Sequence, residues 1–388
     1  APLVWVRIAE GRSIDLIAAS AGLRVVGPSR LAAGGYLLRG GNARLAALGV
    51  ARLRASGAVL EVRQDRKLTL VRRQDGEPLF PPDGDYLGQW SLENRAGGVD
   101  AGFRGAWDIG RFGSGVTVGV VDDGIDRSHP DVSGAVDGEK SYDFVDDDTD
   151  PAPRSENAHG TAMAGLIAAR ANGVGIVGGA PFAALADLRA LGGTEFNLAD
   201  AIAYLGVAPP FQRIHIKLHA YGPTDFFAEA PVAVQAMRNN RNAGALDVVA
   251  AGNEADNGGL TNDDTAKDPF ASSPGALVVT AHGFDGFPTS YSNSGSNVFL
   301  SAPGDGGGIG TMTTDNVGDG GYASFDDPDP VGGTDWVQYA ESRGTSTAAA
   351  LVAAAFADAR SANNNIDSRL ARHLLVRSLI PTSASSEG

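Results

Sequence analysis

The chain contains no cysteine. That excludes disulfide staples, a thiolate nucleophile and zinc held by sulfur. It also lacks any apolar run of membrane-spanning length, so the sequence offers no membrane span. Basic residues are scarce beside acidic ones: 31 Lys+Arg against 46 Asp+Glu, a net charge of −15. Such a surface repels nucleic acid and anionic membranes and draws cations, whether metal ions or basic peptides. What remains is ample for a packed core. Of 388 residues, 43% are hydrophobic and 20% charged, enough for one large α/β domain and a small one. The opening Ala1-Pro2 without Met is accounted for by a removed signal segment or by a trimmed chain.

Residues 1–73 read as a small α+β unit. Strand-like stretches fall at 3–8, 23–26, 36–38, 59–62 and 68–71, with helices at 14–19 behind a Ser13 cap and at 42–48. The unit ends at Arg72-Arg73, before a Pro/Gly/Asp-rich linker over 74–98. The dibasic pair is either two exposed charges or a cleavage site between Arg73 and Gln74. Over 99–382, strands at 116–121, 183–188, 214–218, 247–251, 277–280 and 298–300 alternate with helices at 159–171, 198–205, 231–243, 346–358 and 368–378. That alternation predicts an α/β fold, a parallel sheet covered on both faces. Residues 304–321 read as a glycine-rich surface excursion and 383–388 as a polar tail.

Three short stretches carry chemistry. Gly344-Thr345-Ser346 opens a small-residue helix, so Ser346 is either a helix cap or a nucleophile beside unpaired N–H groups. Asp122 ends a buried strand, where open α/β sheets place their sites, although turn-forming aspartates stand there too. His159 opens a helix in His159-Gly160-Thr161; a helix N-terminus disfavours imidazolium and suits a histidine that starts neutral.

In this order the three motifs resemble the subtilisin superfamily of serine proteases, and Gly252-Asn253 is similar to its oxyanion-hole asparagine segment. The resemblance implies a subtilisin-like doubly wound sheet preceded by a propeptide-like inhibitory and chaperone domain at 1–73. It also implies roles: Ser346 attacks, His159 shuttles the proton, Asp122 orients His159, and Asn253 with the Ser346 N–H holds the oxyanion.

Within the superfamily, the kexin/furin-like processing branch is the more similar. Asp122-Asp123-Gly124 matches its Asp-Asp-Gly motif, and Ala220-Tyr221-Gly222-Pro223-Thr224-Asp225 resembles its Ser-Trp-Gly-Pro-x-Asp pocket wall. By that resemblance Tyr221 and Gly222 line the primary pocket, and Asp225 and Asp268 face a basic residue before the scissile bond (P1). The Asp268 assignment competes with Asp263 and Asp264. Asp123 and Glu156 match the acids that meet a basic P2. A calcium ion is implied at Asp131 and Asp83, the Asn172 side chain and the carbonyls of Ala169, Val174 and Ile176. A second, weaker site near Asp225 and Asp263 has Asn293 where the branch has a carboxylate. The expected protein is thus a secreted or periplasmic calcium-dependent zymogen acting on peptides, with its own propeptide as inhibitor.

Some residues depart from the pattern. Ala350 stands where a proline is usual, and Ala203 lacks the acid that reads a basic P4. His215, Lys217 and His219 are odd residues for a buried parallel strand; the histidines are either metal ligands or satisfied core groups. Two rival functions stay open: a broad-specificity degradative subtilase, and a self-cleaving or non-turnover scaffold that keeps the fold.

Overall fold

A computed structural model describes residues 3–29, 32–64, 85–154, 157–209, 212–223, 228–256, 264–305, 307–318, 320–322 and 338–378. The chain divides into two compact units, Ala1–Gln74 and Asp75–Gly388.

In the first unit, β1 (Leu3–Arg7) alternates half-buried and buried residues, so Val4 and Val6 point into the core. α1 (Ile14–Ala21) starts at Ser13, whose hydroxyl accepts from the Leu16 N–H, and stops at Gly22 in the left-handed region. β2 (Arg24–Pro28), β3 (Gly35–Arg39), α2 (Ala43–Ser56) and β4 (Glu61–Gln64) complete an antiparallel sheet in the order β2-β3-β1-β4. Leu38 from the sheet meets Ala46, Val50 and Leu53 from α2 in one core. α2 runs well past the expected 42–48, because Val50 and Leu53 continue the buried stripe that Ala46 begins. The strand expected at 68–71, with Arg72, Arg73 and Gln74, lies outside the described residues.

The second unit runs α3 (Phe103–Trp107), β5 (Thr117–Asp122), α4 (Pro130–Ser133), β6 (Tyr142–Asp143), α5 (His159–Ala168), β7 (Ala184–Arg189), α6 (Glu195–Ala203) and β8 (Ile216–His219). It continues through α7 (Pro231–Ala243), β9 (Leu246–Ala250), β10 (Ala276–Gly283), β11 (Val298–Asp305), β12 (Thr311–Thr314), β13 (Tyr339–Ser342), α8 (Thr345–Ala362) and α9 (Ser368–Ser378). Among the described residues, seven strands pair in parallel in the order β11-β10-β9-β8-β5-β7-β6. Alternate residues of each strand serve opposite faces. Val118, Val120, Val248 and Val279 pack with α5 and α8, whereas Val249 and Val278 pack with α6 and α7. The sheet is therefore covered on both sides, as the doubly wound reading expects. From β5 the chain builds towards β7 on one side and β8 on the other. The carboxyl end of β5 is thus a topological switch point, and Asp122 stands on it. Among the described residues no helix is long and apolar enough to cross a membrane.

The excursion expected over 304–321 is in part core. β12 pairs antiparallel with β13, and Thr311, Thr313 and Thr314 are buried. Their sequence carries no apolar alternation, so no strand signal shows. The hydroxyls make burial tolerable: Thr313 Oγ1 donates to the Ala162 carbonyl, and Thr314 Oγ1 to that of Thr161 at 2.7 Å. Both acceptors belong to α5, so this hairpin pins the helix that carries His159. That helix also ends earlier than expected. Ala169 leaves helical geometry, and its carbonyl accepts from the Gly178 N–H instead.

Candidate active site

The His159 ring is held by the Asp122 carboxylate, with Nδ1 2.8 Å from Oδ2 and 2.9 Å from Oδ1. A carboxylate only accepts, so Nδ1 is the donor and Nε2 is left to act as a base. Ala158 cannot cap α5; the neighbouring acid does. Asp123 accepts from the Gly160 N–H at 2.7 Å and the His159 N–H at 3.3 Å. Position 160 must be glycine, since a Cβ there would lie 2.3 Å from the Gly124 carbonyl oxygen. Two consecutive acids therefore fix the ring and the backbone of one histidine.

The two neighbouring acids oppose the helix-end effect on His159. Burial lowers the His159 pKa, but the Asp122 charge, its hydrogen bond and Asp123 outweigh burial and push it up to about 9. The resting imidazole is thus favoured as imidazolium. Asp123 itself is pushed up to about 6, by burial first and then by Asp122.

Ser346 is the second residue of α8, behind Gly344 in the left-handed region. It does not cap the helix. Its Oγ donates to the Ala220 carbonyl at 3.1 Å, and its own N–H falls in the first turn, where helical partners are lacking. Thr345, which the sequence reading passed over, orients the asparagine. Its N–H and hydroxyl both donate to Asn253 Oδ1, at 2.8 and 3.0 Å, while the hydroxyl accepts from the Gly252 N–H at 3.0 Å. With Oδ1 occupied, the Asn253 amide presents Nδ2 as a donor.

Ser346, Asn253, Tyr221, Gly222 and Asp268 line one pocket of about 80 Å³. Asp268 Oδ1 is tied down by the N–H groups of Phe270 and Ala271, at 2.7 and 3.2 Å. Its Oδ2 lies against Gly222, where an added Cβ would approach to 3.0 Å. Burial raises its pKa to about 6, with Glu254 adding to the rise. The competition among the acids is decided in part: Asp264 is spent capping a short turn at Ala266, whereas Asp268 reaches the pocket. Glu156, Asp225, Asp263 and Asp83 lie outside the described residues.

The expected calcium ligands come together in part. Asp131 is fully buried, with Oδ1 3.1 Å from Asn172 Nδ2 and Oδ2 accepting from the Ile176 N–H and the Tyr339 hydroxyl. Ile176 thus offers its N–H to Asp131, and Ala169 its carbonyl to Gly178. Val174 folds back onto Asn172 through its own N–H at 2.9 Å. Asp85 is an acid the sequence reading did not single out; it bonds the Gly175 carbonyl through its N–H. Burial and the Asp85 charge both raise the Asp131 pKa. Asp131 and Asp85 share this corner with the Asn172 side chain and the Gly175 carbonyl, oxygen-bearing groups of the kind a hard cation takes. Among the described residues, no three His, Cys, Asp or Glu side chains converge on a metal position. At the weaker second site, Asn293 is committed elsewhere, bonded twice to Glu254 at 3.0 and 2.7 Å. His215 and His219 have separate partners: half-buried His215 accepts from the Thr117 N–H, and buried His219 bonds Tyr221 and Asp247.

A doubly wound sheet with Asp, His and Ser at its switch-point end and an aligned asparagine amide defines a serine hydrolase of subtilisin type. The chain belongs to the Subtilase family of serine peptidases: residues 113–387 match that family. It is 32% identical over 313 residues to the dibasic-processing endoprotease of Schizosaccharomyces pombe, covering 78% of this chain and 41% of that protein. To human proprotein convertase subtilisin/kexin type 4 it is 32% identical over 336 residues, covering 82% and 41%. It thus spans about two fifths of these relatives' lengths. Among solved structures, it resembles the Aeromonas sobria serine protease in complex with the chaperone ORF2. That match has a TM-score of 0.70 and 30% identity, covering 79% of this chain and 59% of that one.

Proposed function

We propose that this chain is a calcium-binding serine endopeptidase of the secretory route or periplasm that cuts after a basic residue. The observation that carries the specificity is Asp268, whose Oδ2 lies beside Gly222 at the pocket that Ser346 and Asn253 share. A guanidinium or ammonium entering there meets a desolvated carboxylate, a charge-assisted contact stronger than its solvent-exposed equivalent.

The chemistry follows from the donors. The Ser346 hydroxyl gives its proton to His159 Nε2 and attacks the scissile carbonyl. The oxyanion is met by Asn253 Nδ2 and the Ser346 N–H. His159 passes its proton to the leaving amine, and a water repeats the sequence on the acyl-enzyme. Asp122 orients the ring through Nδ1 and steadies the imidazolium that forms. Calcium, held by Asp131, Asn172 and carbonyls of the 169–176 loop with Asp83 or Asp85, would brace that loop and offset the buried Asp131 charge.

Residues 1–73 act in this reading as inhibitor and chaperone, 74–98 as linker, 99–382 as catalytic domain and 383–388 as tail. One observation narrows the expected dibasic preference. Each Asp123 oxygen already accepts one N–H bond from α5, which fixes the carboxylate and weakens its pull on a basic P2, so the preference should be dominated by P1. A peptide-library cleavage profile with calcium, using Ser346→Ala as control, tests the reading. Cleavage after Arg or Lys is expected. A flat or apolar P1 profile supports a broad degradative subtilase, and no turnover beyond self-cleavage supports a scaffold.

A further inference from the structure

The middle of β8 carries polar residues at the centre of a sheet buried on both faces. Lys217, His219 and, opposite them on β9, Asp247 are each at most 1% exposed. Burying such groups is costly unless each finds a partner. Lys217 Nζ finds three: the carbonyls of Ala201, Ile202 and Tyr204, at the C-terminus of α6, where the helix dipole favours a cation. His219 Nε2 lies 2.9 Å from Asp247 Oδ1, which also accepts from Asn240 Nδ2 at 3.0 Å.

The other histidine nitrogen points towards the active site. His219 Nδ1 lies 2.8 Å from the Tyr221 hydroxyl. A carboxylate only accepts, so Nε2 donates to Asp247, and Nδ1 is placed to accept from the tyrosine hydroxyl. Tyr221 stands where the processing branch carries tryptophan, and a tryptophan could not make this bond in the same geometry. The Tyr221 ring lines the pocket and meets Phe270 edge-on at 5.5 Å, and the Phe270 N–H holds the Asp268 carboxylate. A continuous chain therefore runs from the sheet core to the acid facing the pocket: Asp247, His219, Tyr221, Phe270, Asp268.

We propose that His219 and Asp247 are positioning residues for substrate selection. They lock the Tyr221 hydroxyl, and through its ring against Phe270 they set the Asp268 carboxylate. This rests on the peptidase reading of the Ser346 pocket, not on its preference for basic residues. Burial draws the Lys217 pKa down to about 7, and the Asp247 charge, within electrostatic reach, opposes that fall.

The test is steady-state kinetics of the full chain on peptides varied at P1. Tyr221→Phe keeps the ring and removes only the bond to His219. It is expected to raise KM about three- to tenfold, the size of one lost hydrogen bond, with a smaller change in kcat and a flatter P1 profile. His219→Leu should do the same, and the double variant should be no worse than either alone. His219→Gln, which can both accept from Tyr221 and donate to Asp247, should restore KM towards wild type. Wild-type KM and P1 profile in Tyr221→Phe, or fully additive losses in the double variant, would overturn the proposal. Tyr221→Phe decides it alone where His219→Leu does not fold. A wild-type enzyme without basic preference sinks the specificity reading separately, since the shift in Tyr221→Phe is scored against whatever profile the wild type has.

Discussion

Thr345 gives both its N–H and its hydroxyl to a single atom, Asn253 Oδ1. The neighbour of the proposed nucleophile Ser346 thereby sets which end of the asparagine amide faces the pocket. Thr345→Val removes the hydroxyl bond and leaves the N–H bond in place. We expect kcat to fall about three- to tenfold, with KM little changed, because the alignment serves the oxyanion and not the ground state. Asn253→Ala should cost about 100- to 1000-fold, the usual range for one oxyanion donor. Equal losses in the two variants would show that Thr345 does more than aim the amide.

The pH profile follows from His159. Burial draws its pKa down, and Asp122 with Asp123 carry it up to about 9. The base must be neutral to accept the serine proton, so kcat/KM should climb with pH through an inflection towards 9. Asp122→Asn removes the main raising charge and leaves burial opposed by Asp123 alone, so its inflection should fall well below that of the wild type along with the rate. The stability sign is opposite. A raised pKa contributes stability that is whole below the unfolded value near 6.5 and is lost as pH rises through about 9. Matching wild-type and Asp122→Asn inflections would contradict the assignment.

Much of the site was legible because its chemistry is local. Asp122 at a strand end, His159 and Ser346 at helix starts and the Gly252-Asn253 turn each need a short motif, and each motif survives in the sequence. The sheet was legible because its strands are apolar on both faces. What was not legible depends on partners distant in sequence. Thr313 and Thr314 read as polar loop, yet they are buried because carbonyls of α5 accept their hydroxyls. Lys217 reads as odd in a buried strand, and only the fold shows that three carbonyls ending α6 accept from its amine. Asp85 reads as linker, and only the fold brings its charge to Asp131.

That last pair makes a metal prediction. If calcium holds this corner, chelation should lower the thermal midpoint, because a ligand of the native state stabilises it by mass action. Asp131→Ala and Asp85→Ala should each weaken the response, the first more strongly because Asp131 is fully buried. Equal melting curves in calcium and in chelator for the wild type would remove the site from the proposal.

The N-terminal unit gives the final prediction. It has its own core and an antiparallel sheet, so it is built to fold as a body rather than to serve as a tail. The sequence that follows carries Arg72-Arg73 before Gln74, and a basic residue is what Asp268 would select. The unit's end should therefore be the enzyme's first substrate, cut between Arg73 and Gln74. Arg73 would then be a product-like residue for the same pocket, so the severed unit should inhibit until a second event removes it. N-terminal sequencing of the active form should read Gln-Asp-Gly-Glu. Added 1–73 fragment should inhibit stoichiometrically, and a fragment carrying Arg73→Ala should do so less well. Arg73→Ala in the full chain should slow maturation while the midpoint of the catalytic domain holds. Full activity with residues 1–73 still covalently attached would make the unit a stable accessory domain and end the zymogen reading.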